Sequence, residues 1–332
     1  MWRVGLVLGG GGIVGQAYHG AVLSALHEGI GWDPRDAVVV VGTSAGAASG
    51  AELRAGISGA DMAARREGTP FSQAGGRLLR ELGPPPQVTP RHVPVEVDRA
   101  RRAFRRLLNR SIMHPGSVRP GVLASLAMSP GRLSTAWLQE QVRWLHRGDD
   151  WPAAALWACA IDLDRGERVV FGRDASPVAP LAAAVAASCA IPGAFAPVAI
   201  GRALYVDGGG WSASNADVLA GLGLDLVIVV SPMTAVPGAA RNHADAMMRA
   251  ACRWILMREA AEVRASGTPV AIIEPEAAEL RCMGRIIGFD ILDERRCPSI
   301  VAQVRASTLS HLRAGRFAEL RQLGEYSHAV AA

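Results

Sequence analysis

Hydrophobic residues in this chain gather into short solid blocks separated by longer mixed stretches. Val4-Gly5-Leu6-Val7-Leu8, Val38–Val41 and Leu226–Val230 contain no polar position, as expected of strands buried on both faces. Ala203–Val206 and Val270–Ile273 read as two more short strands. Ala155–Leu163 and Arg168–Phe171, joined across Asp164-Arg165-Gly166, read as a hairpin. Helical spacing fills the gaps. Over Gly15–Glu28, the residues Ala17, Ala21, Val22, Ala25 and Leu26 share one side, and Gly29 and Gly31 end the run. Further helices are predicted over Ser44–Ala55, Val178–Ala187, Ala239–Ala265 and Ile300–Leu320, with a helix end at Val218–Leu222. This alternation predicts an α/β fold around a mostly parallel central sheet.

Residues 58–150 break the alternation. They are arginine-rich and interrupted by Pro84-Pro85-Pro86, Pro90, Pro94, Pro115, Pro120 and Pro130. Arg99–Arg110 reads as a basic helix with Ala103, Phe104, Leu107 and Leu108 as its apolar side, and Leu133–Leu145 as a second helix. The segment is expected to form a helical cap over the sheet end. Two roles stay open for its basic face: a solvated surface, or contact with an anionic membrane.

Composition narrows the class. With 332 residues, 50% hydrophobic and 20% charged, the chain is a folded globular protein. Every basic residue is arginine, and the formal charge of +5 is mild. No aromatic-interleaved basic motif accompanies it, so nucleic acid is not an expected partner. Five scattered cysteines lack metal-type spacing and read as reduced thiols, and the N-terminus runs straight into a strand without a signal peptide. A cytoplasmic protein is expected, with peripheral membrane contact through the cap left open as the alternative to a solvated face. The uncharged run 177–201 is long enough to span a bilayer but carries Pro192 and Pro197 inside it, so a buried helix followed by a loop is expected.

The candidate chemistry lies in Gly9–Gly46. Gly42-Thr43-Ser44-Ala45-Gly46 directly follows an apolar strand, the pattern of a nucleophile elbow in which small neighbours let strand and helix nearly touch. Ahead of it, Gly9-Gly10-Gly11-Gly12-Ile13-Val14-Gly15 can aim several backbone N–H groups at one point. A dinucleotide site would need an acid closing the second strand, and a P-loop would need a lysine; neither is present. An oxyanion hole beside Ser44 needs only the free amides. A serine also needs a base. None of the eight histidines sits at a strand end beside glycines, although His243 and His311 remain alternatives for a histidine-dependent hydrolase. Asp207, which closes Leu204-Tyr205-Val206 ahead of Gly208-Gly209, is the better candidate.

The chain resembles the patatin-like phospholipase family. The resemblance rests on the glycine loop (Gly10–Gly15), G-x-S-x-G (Gly42–Gly46), Ala187-Ser188-Cys189-Ala190-Ile191-Pro192-Gly193-Ala194-Phe195-Ala196-Pro197-Val198, and D-G-G (Asp207–Gly209), in that order. It implies a three-layer α/β/α fold and a lipid carboxylic ester hydrolase working through an acyl-enzyme. Ser44 is the implied nucleophile and Asp207 the implied proton acceptor. Gly10, Gly11 and Gly12 would form the oxyanion hole, supported by Gly15, Gly42, Gly46, Gly208 and Gly209, with no metal or cofactor. Asn215 resembles a structural family asparagine, and Val14 stands where the family commonly has Arg or Lys. Residues 3–275 would be the catalytic domain with 58–150 as its cap insertion, and 276–332 a helical extension on the same domain. A catalytically silent binding protein of this fold remains the non-enzymatic alternative. The oligomeric state stays open.

Overall fold

Each apolar block becomes a strand, and the helical segments cover both faces of the sheet they make. The structure, a computed structural model, describes residues 2–89, 91–93, 97–128, 131–173, 177–240, 242–286 and 290–331. Pro90, Pro94 and Pro130 lie outside the described residues. In chain order the elements are β1 (Val4–Leu8), α1 (Gly12–Ile30), β2 (Val39–Thr43), α2 (Ala45–Arg54), α3 (Gly59–Glu67), α4 (Gln73–Leu82), α5 (Val97–Met113), α6 (Pro120–Ala127) and α7 (Ala136–His146). They continue with β3 (Ala155–Asp162), β4 (Glu167–Phe171), α8 (Leu181–Ser188), β5 (Val198–Ile200), β6 (Ala203–Asp207), β7 (Leu226–Val230), α9 (His243–Ala265), β8 (Val270–Ile273), α10 (Ala277–Met283), α11 (Cys297–Arg313) and α12 (Ala318–Ala331).

The strands form one sheet in the order β5-β6-β3-β2-β1-β7-β8, with β4 paired to β3 beside that path. From β3 to β8 the path is parallel. β4 and β6 run antiparallel to β3, and β5 antiparallel to β6. Alternating strand residues then build two cores. Leu6, Leu8, Val40, Ile228 and Val230 join residues of α1, α2, α8 and α11, while Val7, Val41, Val227 and Val229 join Leu256, Ala260 and Val263 of α9. This is the three-layer α/β/α arrangement with a mostly parallel sheet. From the segment expected to form a cap, Ala103 and Leu107 of α5 and Val122 of α6 pack on Ile161, Leu163, Leu204 and Val206.

Several boundaries differ from the pattern, each for a local reason. α1 runs through Gly29, and left-handed Gly31 (φ 69°) is what ends it. The single closing helix is two: left-handed Gly315 (φ 65°) lies in the break between α11 and α12. α8 starts only after Pro180, and α9 starts at His243, where the Asn242 side chain accepts from the Ala244 and Asp245 N–H groups. The second cap helix starts at Ala136, because Leu133 makes isolated bridges to His92 and Phe195. Val218–Leu222 is a 3-10 turn over Ala216–Leu219. β5, α6 and α10 are only three to eight residues long, and α3 and α4 lie within the arginine-rich segment expected only as a helical cap, so the pattern marks none of them individually.

Candidate active site

Ser44 sits where β2 turns into α2. Its backbone is strained (φ 54°, ψ −121°), a conformation that costs roughly 1–3 kcal/mol and persists only when its surroundings enforce it. Those surroundings are visible. A Cβ on Gly46 would lie 1.8 Å from the Leu8 carbonyl oxygen, and one on Gly42 2.4 Å from Ala47 Cα, so strand and helix meet only through glycine. The α8 C-terminus bolts the turn down. Ser44 N–H donates to Ser188 Oγ at 2.9 Å, Ser188 Oγ donates to the Cys159 carbonyl at 2.6 Å, and Cys189 Sγ donates to the Ser44 carbonyl at 3.1 Å. Ser188 and Cys189 stand inside a recognisable motif, but only the tertiary contacts reveal them as anchors of the elbow.

Asp207 reaches Ser44 by an antiparallel route that the parallel pattern did not contain. Thr43 pairs with Cys159 on β3, and the next β3 residue, Ala160, pairs with Asp207. The carboxylate therefore arrives level with the elbow. Asp207 is 5% exposed. Burial pushes its pKa up from 3.8 to about 6, against the lowering effect of the Ser44 hydroxyl and the Gly209 N–H. Oδ1 accepts from Gly209 N–H at 2.7 Å, while Oδ2 has no hydrogen-bond partner among the described residues. The Ser44 hydroxyl is nonetheless near enough to favour the ionised carboxylate, and hydrogen bonds of a catalytic pair commonly tighten only when substrate binds. Gly208 lets the chain pass β3 closely, since a Cβ there would lie 2.3 Å from the Cys159 oxygen.

The glycine loop meets the elbow from the other side. A Cβ on Gly10 would lie 3.6 Å from Ser44 Cβ. Gly9 N–H donates to the Val230 carbonyl at 2.9 Å and Gly10 N–H to the Ala213 carbonyl at 2.8 Å. Gly10, an expected oxyanion donor, thus turns its N–H toward the loop's own anchorage in this structure. Gly11 (φ 148°) caps α1 and Gly12 (φ 60°) opens it. Their N–H groups have no partner among the described residues, as at any helix start. Gly15 N–H donates to the Gly11 carbonyl, and Val14 is buried in the core, so no cation occupies that place in the loop. Pro232 packs on Gly11, and the Ile291 carbonyl lies over Gly12.

The Ala213 anchor has its own support. Glu259 of α9 accepts from Ser214 Oγ at 2.6 Å and from Ala216 N–H at 2.9 Å, and Asn215 Nδ2 donates to Thr43 Oγ1 at 2.9 Å. No sequence signal marked Glu259, because its partners lie more than forty residues away.

The histidines fall elsewhere. His243 is exposed at the start of α9. His311 contacts Arg316, Glu276 and Phe317. His19 is fully buried, bonded through Nδ1 to Ser49 Oγ at 3.0 Å, and burial lowers its pKa to about 3, so it stays neutral and ties α1 to α2. Among the described residues, no group of three or more His, Cys, Asp or Glu is arranged to hold a metal ion.

A mostly parallel sheet between helical layers, with a strained serine turn beside a glycine loop, defines a three-layer α/β/α class of protein. Within that class, the chain belongs to the patatin-like phospholipase family, whose sequence model matches residues 6–220. Among solved structures it is similar to VipD from Legionella pneumophila (16% identity, 93% of this chain, 67% of that one, TM-score 0.37). It is also similar to the type III effector protein ExoU (19% identity, 94% of this chain, 53% of that one, TM-score 0.36). The heterodimeric complex ExoU-SpcU from the type III secretion system of Pseudomonas aeruginosa matches at 18% identity, 93% of this chain and 52% of that one, with TM-score 0.32. The chain thus spans about half the length of the ExoU chains it matches. No curated protein matches the sequence.

Proposed function

We propose that this protein is a serine acyl hydrolase of lipid carboxylic esters, working through a Ser44–Asp207 dyad. The observation that carries the proposal is the strained Ser44 facing a buried carboxylate whose pKa is pushed to about 6, within the range a general base needs at neutral pH. Asp207 takes the Ser44 proton as Oγ attacks the ester carbonyl. The developing oxyanion is met by the Gly11 and Gly12 amides at the start of α1, where the helix dipole adds to their effect. Collapse expels the alcohol, which receives the proton from Asp207. A water activated by Asp207 then attacks the acyl-enzyme and releases the fatty acid and Ser44. In this reading residues 3–275 are the catalytic body, 58–150 its cap, and 276–332 an extension whose Ile291 closes one side of the glycine loop. The cap is the part that would meet a lipid surface. Among the described residues no helix is long and apolar enough to cross a membrane.

The test is labelling by a fluorophosphonate probe and hydrolysis of an ester series of rising chain length. Wild type is expected to label and turn over. Ser44→Ala is expected to do neither, and Asp207→Asn to lose both by about four orders of magnitude, the scale of losing a triad acid. Labelling that survives Ser44→Ala would overturn the assignment.

A further inference from the structure

The outward face of α5 has a composition that the fold does not explain. Its inward residues Ala100, Ala103 and Leu107 are buried in the cap core. On the opposite side Arg101, Arg105, Leu108 and Ile112 follow at spacings of four, three and four, so they form one stripe along the helix. Arg102 and Met113 flank it. Leu108, Ile112 and Met113 are 37%, 67% and 73% exposed. The arginines divide by role. Arg99 and Arg106 reach Asp164, and Arg110 lies 4.0 Å from Glu167. Arg101, Arg102 and Arg105 are exposed and make no ion pair or hydrogen bond among the described residues. Asp98, in the first turn, is the acid on this side.

Resting on the hydrolase reading above, we infer that this face of α5 is the protein's docking surface for an anionic lipid bilayer. Charge and polarity select that occupant. Three unpaired guanidinium groups suit lipid phosphates, and the apolar side chains one to two turns further along suit the acyl boundary beneath them. A nucleic acid would use the arginines and leave Leu108, Ile112 and Met113 in water. The position suits the chemistry too. α6, packed on α5, lies against the turn that follows Asp207: a Cβ on Gly210 would sit 2.3 Å from Ser125 Oγ, and one on Gly121 2.5 Å from the Gly210 oxygen. Met128, 47% exposed just beyond α6, touches Gly193 in the segment after α8. A bilayer seated on α5 is therefore one helix from the dyad.

The test is co-sedimentation of the full chain with phosphatidylcholine vesicles, with and without phosphatidylserine. Wild type is expected to bind only the anionic vesicles and to be released by salt. The triple variant Arg101→Gln, Arg102→Gln, Arg105→Gln should bind them about a hundredfold more weakly, near fivefold per arginine. Ile112→Ser with Met113→Ser should lose about tenfold, with the salt dependence kept. Wild-type melting temperatures in both variants identify the losses as surface effects. Equal binding to both vesicle types, no binding to either, unchanged binding of the triple variant, or tighter binding to duplex DNA than to anionic vesicles would each overturn the inference. Turnover of a soluble short-chain ester by the wild type reads the hydrolase proposal separately. A chain that hydrolyses the ester but ignores vesicles fails only the docking surface, and one that docks without turnover fails only the chemistry.

Discussion

The two halves of the candidate site differ in how much of their geometry comes from neighbours in the chain. The elbow is mostly local: Val39 to Arg54 run as strand, turn and helix without interruption, and the clash that Gly46 avoids is with β1, the neighbouring strand. The glycine loop is held from far away. Its anchors are Val230, Ala213, Pro232 and Ile291, all some two hundred or more residues downstream. The elbow's strand, turn and helix are specified where they stand and then pinned from α8 by Ser188 and Cys189, whereas the loop takes all of these anchors from far downstream. Damage at a distance should therefore reach catalysis through the loop, and damage at the elbow should reach the fold first.

The largest expected effect separates two glycines on this basis. Gly46→Ala places a Cβ 1.8 Å from a backbone oxygen that cannot give way, so no folded protein is expected by circular dichroism or soluble yield. Gly10→Ala has only ordinary contacts, the nearest at 3.6 Å to Ser44 Cβ, so it should fold and yet lower kcat/KM by roughly tenfold to a hundredfold through crowding at the nucleophile. A fully stable Gly46→Ala would break the comparison.

Each half also buries an acid, and the next effect comes from the one beside the elbow. Asp207 works as a base only when ionised, so kcat/KM should rise with pH through about 6 and then level off. Stability runs the other way. The folded-state pKa lies above the usual 3.8, so burial favours the protonated form. The contribution is fully present below about pH 4 and is lost as pH rises through about 6, a difference of about 3 kcal/mol. Asp207→Asn should remove that component from a melting-temperature profile and be more stable than wild type at pH 7. A flat difference between the two profiles would show that Asp207 is not the buried charge described.

The smallest effect tests the loop's remote support. Glu259→Ala leaves Ser214 and the Ala216 N–H without their acceptor, at about 1–3 kcal/mol of stability. Loosening Ala213 should then lower kcat by roughly tenfold with KM unchanged, since the loop's amides act on the transition state. Glu259→Gln keeps an acceptor oxygen and should restore most of the rate. A lower melting temperature with kcat intact would show that the loop is not held from there.

Much of this was legible before folding. The apolar blocks marked the long strands because a strand covered on both faces has no place for a polar residue, and glycines beside Ser44 marked the elbow because only they allow its close contacts. The pattern was silent on β5, α6 and α10, which are very short, and on α3 and α4, which it merged into one helical segment. It also ran past Gly315, because a single residue decides between a continued helix and a turn.

The sequence by itself determined the strand blocks, the serine elbow, the glycine run and the acid before two glycines, since each depends on local backbone sterics and burial that near neighbours dictate. Only the tertiary structure decided the rest. It turned β6 antiparallel so that Asp207 ends level with Ser44, and it paired the Gly10 amide with Ala213 while those of Gly11 and Gly12 have no partner among the described residues. It set Ser188 and Glu259 as anchors for elements far from them in the chain, and it left three arginines of α5 facing solvent beside exposed apolar side chains. These are long-range pairings, fixed by which surfaces pack together and which donors find acceptors, and no stretch of sequence contains both partners.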